Sequence, residues 1–148
     1  MWYIAVYGLV SMEAYPLNPL TLEYSQAQPC LETSSKRYYI ENWYTVQTTD
    51  CSAQVMLLSY GFPLTTAMYA DTDALIYYKK GIISGCDPVQ STQLDHAVMM
   101  VGFSKNGSYS YIKIKNSWGT NWGEGGYFRI SMFNNQLGIC YFSVSPYS

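Results

Sequence analysis

The sequence predicts an α+β fold dominated by antiparallel strands, on three observations. An apolar, valine-bearing run at residues 97–103 and an alternating segment at 109–116 flank a Lys105-Asn106-Gly107 turn, as in a β-hairpin. A single well-capped helix is expected at residues 52–60, while most other ordered segments are short and rich in Tyr, Ile and Val. With 148 residues, 49 % hydrophobic and 12 % charged, the chain suits one packed body and not a disordered tail.

In chain order, residues 2–7 read as a short helix stopped by Gly8, with Pro16 following. One or two turns are marginal alone, so the chain is expected to begin inside a helix whose earlier residues are missing. Residues 15–30 read as an irregular loop and 37–48 as strand. Thr49 or Asp50 can cap the helix at 52–60, and Gly61 with Pro63 ends it. Residues 64–69 and 81–83 read as strands around a helical turn at 71–78. The run at 97–103 suits a strand buried on both sides. In 109–116, Ile112 and Ile114 alternate with Lys113 and Lys115, and residues 127–130 and 139–144 complete the strands.

The net charge of −2 offers no basic stripe for phosphates, which argues against nucleic acid. No apolar run is long enough to span a membrane, and the first ten residues lack a basic flank and a cleavage site, so neither a membrane span nor a signal peptide is expected. Cys30, Cys51, Cys86 and Cys140 form no C-x-x-C pair and have a single histidine beside them, so disulfides are expected and no metal or other cofactor. Four cysteines allow three pairings, and spacing does not choose among them. Asn106-Gly107-Ser108 is a glycosylation acceptor pattern, with Asn106 the candidate.

A three-residue loop at 105–107 would pair Ser104 with Ser108 and, counting back, His96 with Asn116. Opposed residues share a face with Cβ atoms about 5 Å apart, so the amide oxygen could accept the imidazole Nδ1 proton. By itself such a pair is more readily read as a satisfied polar contact at a sheet end.

The surrounding residues decide between these. Gln93-Leu94-Asp95-His96-Ala97-Val98 and Ile114-Lys115-Asn116-Ser117-Trp118-Gly119-Thr120-Asn121-Trp122-Gly123-Glu124-Gly125-Gly126-Tyr127 resemble the histidine and asparagine blocks of papain-like cysteine peptidases of the cathepsin type. Tyr7-Gly8-Leu9, Gly61-Phe62-Pro63-Leu64 and the stretch 78–83 extend the resemblance over nearly the whole chain. It implies a papain-like fold, with residues 1–16 a remnant of the left helical domain and 17–148 the right antiparallel β-barrel domain. It implies His96 as base, Asn116 as its orienter and Trp118 as cover over their bond. Ala67, Asp95 and Ala97 would line substrate subsites, Val144 or Ser145 would reach a pocket floor, and Trp122 would be core. Cys86 and Cys140 would form the right-domain disulfide; Cys30 matches a cysteine whose usual partner lies in the left domain, and Cys30 with Cys51 stays open.

In that family the nucleophilic cysteine lies near the mature N-terminus, about 130 or more residues before the histidine. Here 95 residues precede His96, and neither a C-G-x-C-W pattern nor the oxyanion glutamine before it occurs. Cys51, at a helix start, is a poor substitute, because that helix lies away from the family's cleft. The chain is therefore expected to be the C-terminal half of a cysteine peptidase, inactive alone. Its partner would be a cysteine-bearing half or another chain covering the cleft, its substrate a peptide or protein, and its location lysosomal, vacuolar or secreted. The alternative is a non-catalytic pseudo-peptidase module with a binding role in an assembly.

Overall fold

A computed structural model of the chain describes residues 1–16 and 34–147. Nearly all of the loop expected at 15–30, Cys30 included, lies outside the described residues. The chain divides into two compact units, residues 1–42 and Trp43–Tyr147.

In the first unit, helix α1 (Trp2–Tyr7) ends where expected, at Gly8 with φ 70° and its amide on the Ile4 carbonyl. A Cβ at Gly8 would sit 3.0 Å from the Tyr39 ring and 3.1 Å from the Tyr38 carbonyl, so glycine answers both a positive φ and a close approach. Leu9 and Tyr38 pair as an isolated antiparallel bridge. Tyr7 gathers the Tyr3 and Trp2 rings at 5.0 and 5.8 Å.

The second unit is a sheet of β1 (Asn42–Val46), β2 (Leu64–Met68), β3 (Ile82–Ile83), β4 (His96–Ser104), β5 (Tyr111–Lys115), β6 (Tyr127–Ser131) and β7 (Ser143–Tyr147), with helices α2 (Ser52–Ser59) and α3 (Asp73–Ile76) between strands. The seven strands run in the order β1-β7-β2-β4-β5-β6-β3. The β2–β4, β2–β7, β4–β5 and β5–β6 pairs are antiparallel, whereas β3 lies parallel to β6. Among the described residues β1 and β3 are the two edges, so the expected barrel is an open sheet.

Alternation places Leu64, Thr66 and Met68 of β2, Val98 and Met100 of β4, Ile112 and Ile114 of β5, and Phe128 and Ile130 of β6 in one buried layer. Ala97, Met99 and Val101 point the other way and are exposed, so β4 is buried on one face, not on two. The N-cap of helix α2 is Cys51 and not the expected Thr49 or Asp50; Asp50, one residue earlier, accepts the Ser52 amide on Oδ1 at 2.8 Å, and hydrogen bonding from the Ser52 side chain first and its amide second pulls the Asp50 carboxyl below its usual range. Gln54 and Val55 face inward.

The disulfide joins Cys51 to Cys140 and not Cys86 to Cys140. Cys51 opens α2 on its buried side, and the two Cα atoms stand 5.0 Å apart, within bridging reach. Cys140 is held there from both ends: its amide donates to Asn135 Oδ1 at 2.8 Å, and its carbonyl accepts Gln54 Nε2 at 2.8 Å. Cys86 is unbridged and half-buried, its amide on Gln136 Oε1.

The last strand also differs from expectation. Ile139 and Cys140 are fully buried but belong to a tight turn after the left-handed residues Asn134, Asn135 and Leu137, and β7 begins three residues later, at Ser143. Burial without extension explains why this apolar stretch reads as strand.

Candidate active site

The hairpin that carries the site is longer than the sequence suggests. Lys105 to Ser110 lie between the strands, with a 3₁₀ turn at Gly107–Tyr109, and Ser104 pairs with Tyr111. The register then shifts at a bulge between Met100 and Gly102, so that Met100 faces Ile114 and Met99 faces Lys115. Continued one step, this register sets Asn116 across from Val98, two residues from His96. A displacement of two residues keeps both side chains on the same face, where a displacement of one would have parted them. His96 itself faces Met68 on β2.

The imidazole Nε2 and Asn116 Oδ1 are 2.8 Å apart. The contact is made through Nε2, not the Nδ1 that direct opposition suggests. A second donor fixes its sense: the Ser117 amide also donates to Oδ1, at 2.8 Å. An atom accepting a backbone N–H is the amide oxygen, so Nε2 must carry the proton it gives, and the Nδ1 lone pair is left for another partner. Asn116 is 8 % exposed. Burial strengthens its two accepted bonds, since water competes little for the oxygen.

The loop of residues 117–126 covers this pair. Trp118 lies over His96 with ring centroids 5.2 Å apart, and Trp122 meets Trp118 edge-on at 5.0 Å. Trp122 continues into Tyr78 and Phe128 at 5.6 and 5.7 Å, so it is half-buried and packs against the core. The loop returns on itself through Gly126, whose carbonyl takes the Asn116 amide at 3.0 Å and whose amide donates to Trp122 at 2.8 Å. Gly123 is obligatory: φ is 58°, and a Cβ would stand 2.6 Å from the Tyr127 carbonyl. Two further residues, which motif reading passes over, anchor the loop. Arg129 grips Glu124 in a fork, Nη2 to Oε1 at 2.6 Å and Nε to Oε2 at 2.9 Å, holding the carboxyl down at about 2. A carboxylate and an arginine flanking a Gly-Gly turn at a strand start are the signal that could have found them.

The expected subsite residues divide. Ala67 and Ala97 are Cα partners on the exposed face of the β2–β4 ladder. Ala67 also lines an open cavity of about 630 Å³ with Thr48, Ser91, Leu94, Tyr141 and Phe142. Asp95 turns its carboxylate onto the Ala70 amide at 2.8 Å. Val144 is half-buried opposite Thr65, and Ser145 is fully buried with its hydroxyl on the Pro63 carbonyl at 3.0 Å, so Ser145 does not open on the cavity. Asn106 and Ser108 of the acceptor pattern are exposed. Among the described residues no group of three His, Cys, Asp or Glu could hold a metal ion, and no helix is long and apolar enough to cross a membrane.

Residues 1–147 match the model of the papain family cysteine proteases. The chain is 37 % identical over 107 residues to the viral cathepsin of Adoxophyes honmai nucleopolyhedrovirus, covering 72 % of this chain and 28 % of the relative. Against chymopapain of Carica papaya it is 30 % identical over 148 residues, covering 98 % of this chain and 39 % of the relative. Digestive procathepsin L 3 of the Tenebrio molitor larval midgut shares the fold with a TM-score of 0.82 and 28 % identity, over 99 % of this chain and 46 % of that one. The chain belongs to the papain family of cysteine proteases. It spans well under half the length of these curated relatives.

Proposed function

We propose that this chain supplies the general base and half of the substrate cleft of a cysteine peptidase whose nucleophilic thiol is supplied from outside this chain. The observation that carries the reading is the pair of donors on Asn116 Oδ1, which commits His96 to the Nε2–H form and leaves Nδ1 to take a thiol proton. Among the described residues the cysteines do not compete for that role. Cys51 and Cys140 are consumed by their disulfide, and burial, with Asp87 nearby, pushes the Cys86 thiol up and away from the thiolate.

With a thiol brought to Nδ1, proton transfer gives thiolate and imidazolium, the sulfur attacks the scissile carbonyl, and the imidazolium returns the proton to the leaving amine. Trp118 shields the Nε2–Oδ1 bond from water while this happens. Ala67 and Ala97, both small, pair on the outer face of the β2–β4 ladder and leave room there for a substrate side chain, with Asp95 as a further lining residue and Val144 toward the pocket floor. The disulfide and the exposed Asn106 acceptor fit a lysosomal, vacuolar or secreted setting. The exposed Ala97, Met99 and Val101 face fits coverage by a cysteine-bearing half.

The test is reconstitution. Joined to a cysteine-bearing papain-type half, in one chain or two, the protein should cleave a fluorogenic peptide, and His96→Ala should abolish cleavage. A well-folded assembly without cleavage would favour a non-catalytic binding module.

A further inference from the structure

The reaction proposed above makes no use of Glu124 and Arg129. Yet the Glu124 carboxylate ties its own loop both to β6, five residues on, and to the segment before β3, 43 residues back. Arg129 of β6 grips it in the fork described above, and the Gly81 amide, just before β3, donates to Oε1 at 3.1 Å. Tyr78 braces both partners: its hydroxyl donates to the Gly81 carbonyl at 2.7 Å and accepts the Arg129 amide at 3.3 Å. The Glu124 amide donates to the Tyr127 carbonyl at 2.8 Å, closing the loop against the start of β6.

From this anchor a short physical chain leads to the imidazole. Two residues before Glu124 stands Trp122, wedged against Tyr78 and Phe128 and meeting Trp118 edge-on; Trp118 in turn lies on His96. Two residues after it stands Gly126, whose carbonyl takes the Asn116 amide. The loop therefore approaches the His96–Asn116 bond from above through Trp118 and from behind through Gly126, and its one ionic fastening is Glu124.

We propose that Glu124 is a positioning residue for His96: by fastening residues 117–126 to Arg129 and Gly81, it holds Trp118 and the Gly126 carbonyl where they fix the His96–Asn116 hydrogen bond. A carboxylate is needed because two donors converge on it; an amide at this position could accept the Gly81 N–H but would lose the fork to Arg129. The titratable groups that meet the carboxylate are the Arg129 guanidinium and the Tyr78 phenol, and the first keeps it ionised in acid, with its carboxyl down at about 2. The importance of the role rests on reading His96 as the reacting base. Its test does not, because the signal needs no cleavage.

His96 is the one histidine in the chain, so its ring nitrogens can be followed by long-range ¹H–¹⁵N correlation in this chain without assignment ambiguity. The wild type should show the Nε2–H tautomer and a ring-current shift from Trp118. In Glu124→Gln, and more weakly in Arg129→Lys, the ring-current shift should fall and the two neutral tautomers should mix. Leu57→Ala, a core truncation in α2, should lower Tm while leaving both signals in place. If Glu124→Gln does not fold, Arg129→Lys decides. Unchanged His96 signals in a folded fork variant, or an equal change in Leu57→Ala, would overturn the proposal.

Discussion

Two regions of this sheet are held in opposite ways. Around Cys140 the fastening is covalent and buried: the Cys51 bridge, Gln54 on the Cys140 carbonyl, and Thr66 donating to the Ile139 carbonyl at 2.8 Å, with Ser143 on the Thr66 hydroxyl at 3.2 Å. Around His96 there is no bridge. A half-open imidazole is held by one side-chain hydrogen bond, a tryptophan cover that is 38 % exposed, and an ion pair whose side chains are about a third and a quarter exposed. The first region gains rigidity by excluding water. The second must leave the Nδ1 side of a ring accessible, so it is steadied by stacking worth about 0.5–1.5 kcal/mol per aromatic pair and by a fork that solvent weakens. The comparison teaches that the site is positioned by loop contacts and could be disturbed without unfolding the sheet, whereas damage near Cys140 should unfold the sheet before it moves the site.

The largest expected effect belongs to the site. In a reconstituted enzyme His96→Ala should lower kcat by about 100- to 10,000-fold, the usual range for a positioned base, and Asn116→Ala by less, with Tm nearly unchanged in both. Equal loss of Tm and activity would break the comparison. Next, Cys140→Ser should cost about 2–5 kcal/mol in denaturant unfolding, and non-reducing peptide mapping of the wild type should find Cys51 joined to Cys140. A Cys86–Cys140 peptide would contradict the structure.

Gln54→Ala should cost about 0.5–1.5 kcal/mol, because it removes the shorter of two hydrogen bonds to the buried Cys140 carbonyl, which the Thr48 hydroxyl still reaches at 3.2 Å, and it should leave the His96 tautomer alone. The smallest effect concerns pH. Glu124 has its carboxyl lowered from 4.5 to about 2 by the Arg129 bond, so it binds fewer protons folded than unfolded between those values. Its contribution is therefore full above about 4.5 and is lost as pH falls toward 2. With a partly exposed pair the difference between wild type and Glu124→Gln should stay within about 1 kcal/mol at neutral pH and vanish near pH 2 in a series of thermal melts.

Most strands and all three described helices were legible from period and punctuation, because α1 stops at its glycine and β5 alternates cleanly. So was the meeting of His96 and Asn116, though by a wrong count. The sequence suggests a three-residue loop, while the protein inserts a 3₁₀ turn and a bulge; the two departures add up to a slip of two, which preserves the face. The disulfide was not legible, since pairing depends on how α2 lies against the Cys140 turn, a tertiary fact without a local signature. The inward turn of Ser145 and the use of Asp95 on Ala70 were hidden for the same reason: each is set by a backbone donor or acceptor distant in sequence.

The most direct test of the central claim is labelling of the reconstituted assembly with an epoxide or vinyl-sulfone probe, followed by intact-mass and peptide analysis. The account predicts one label, on a cysteine of the added half and on none of this chain, that disappears in His96→Ala. A label on Cys86, or labelling at an undiminished rate in His96→Ala, would contradict it.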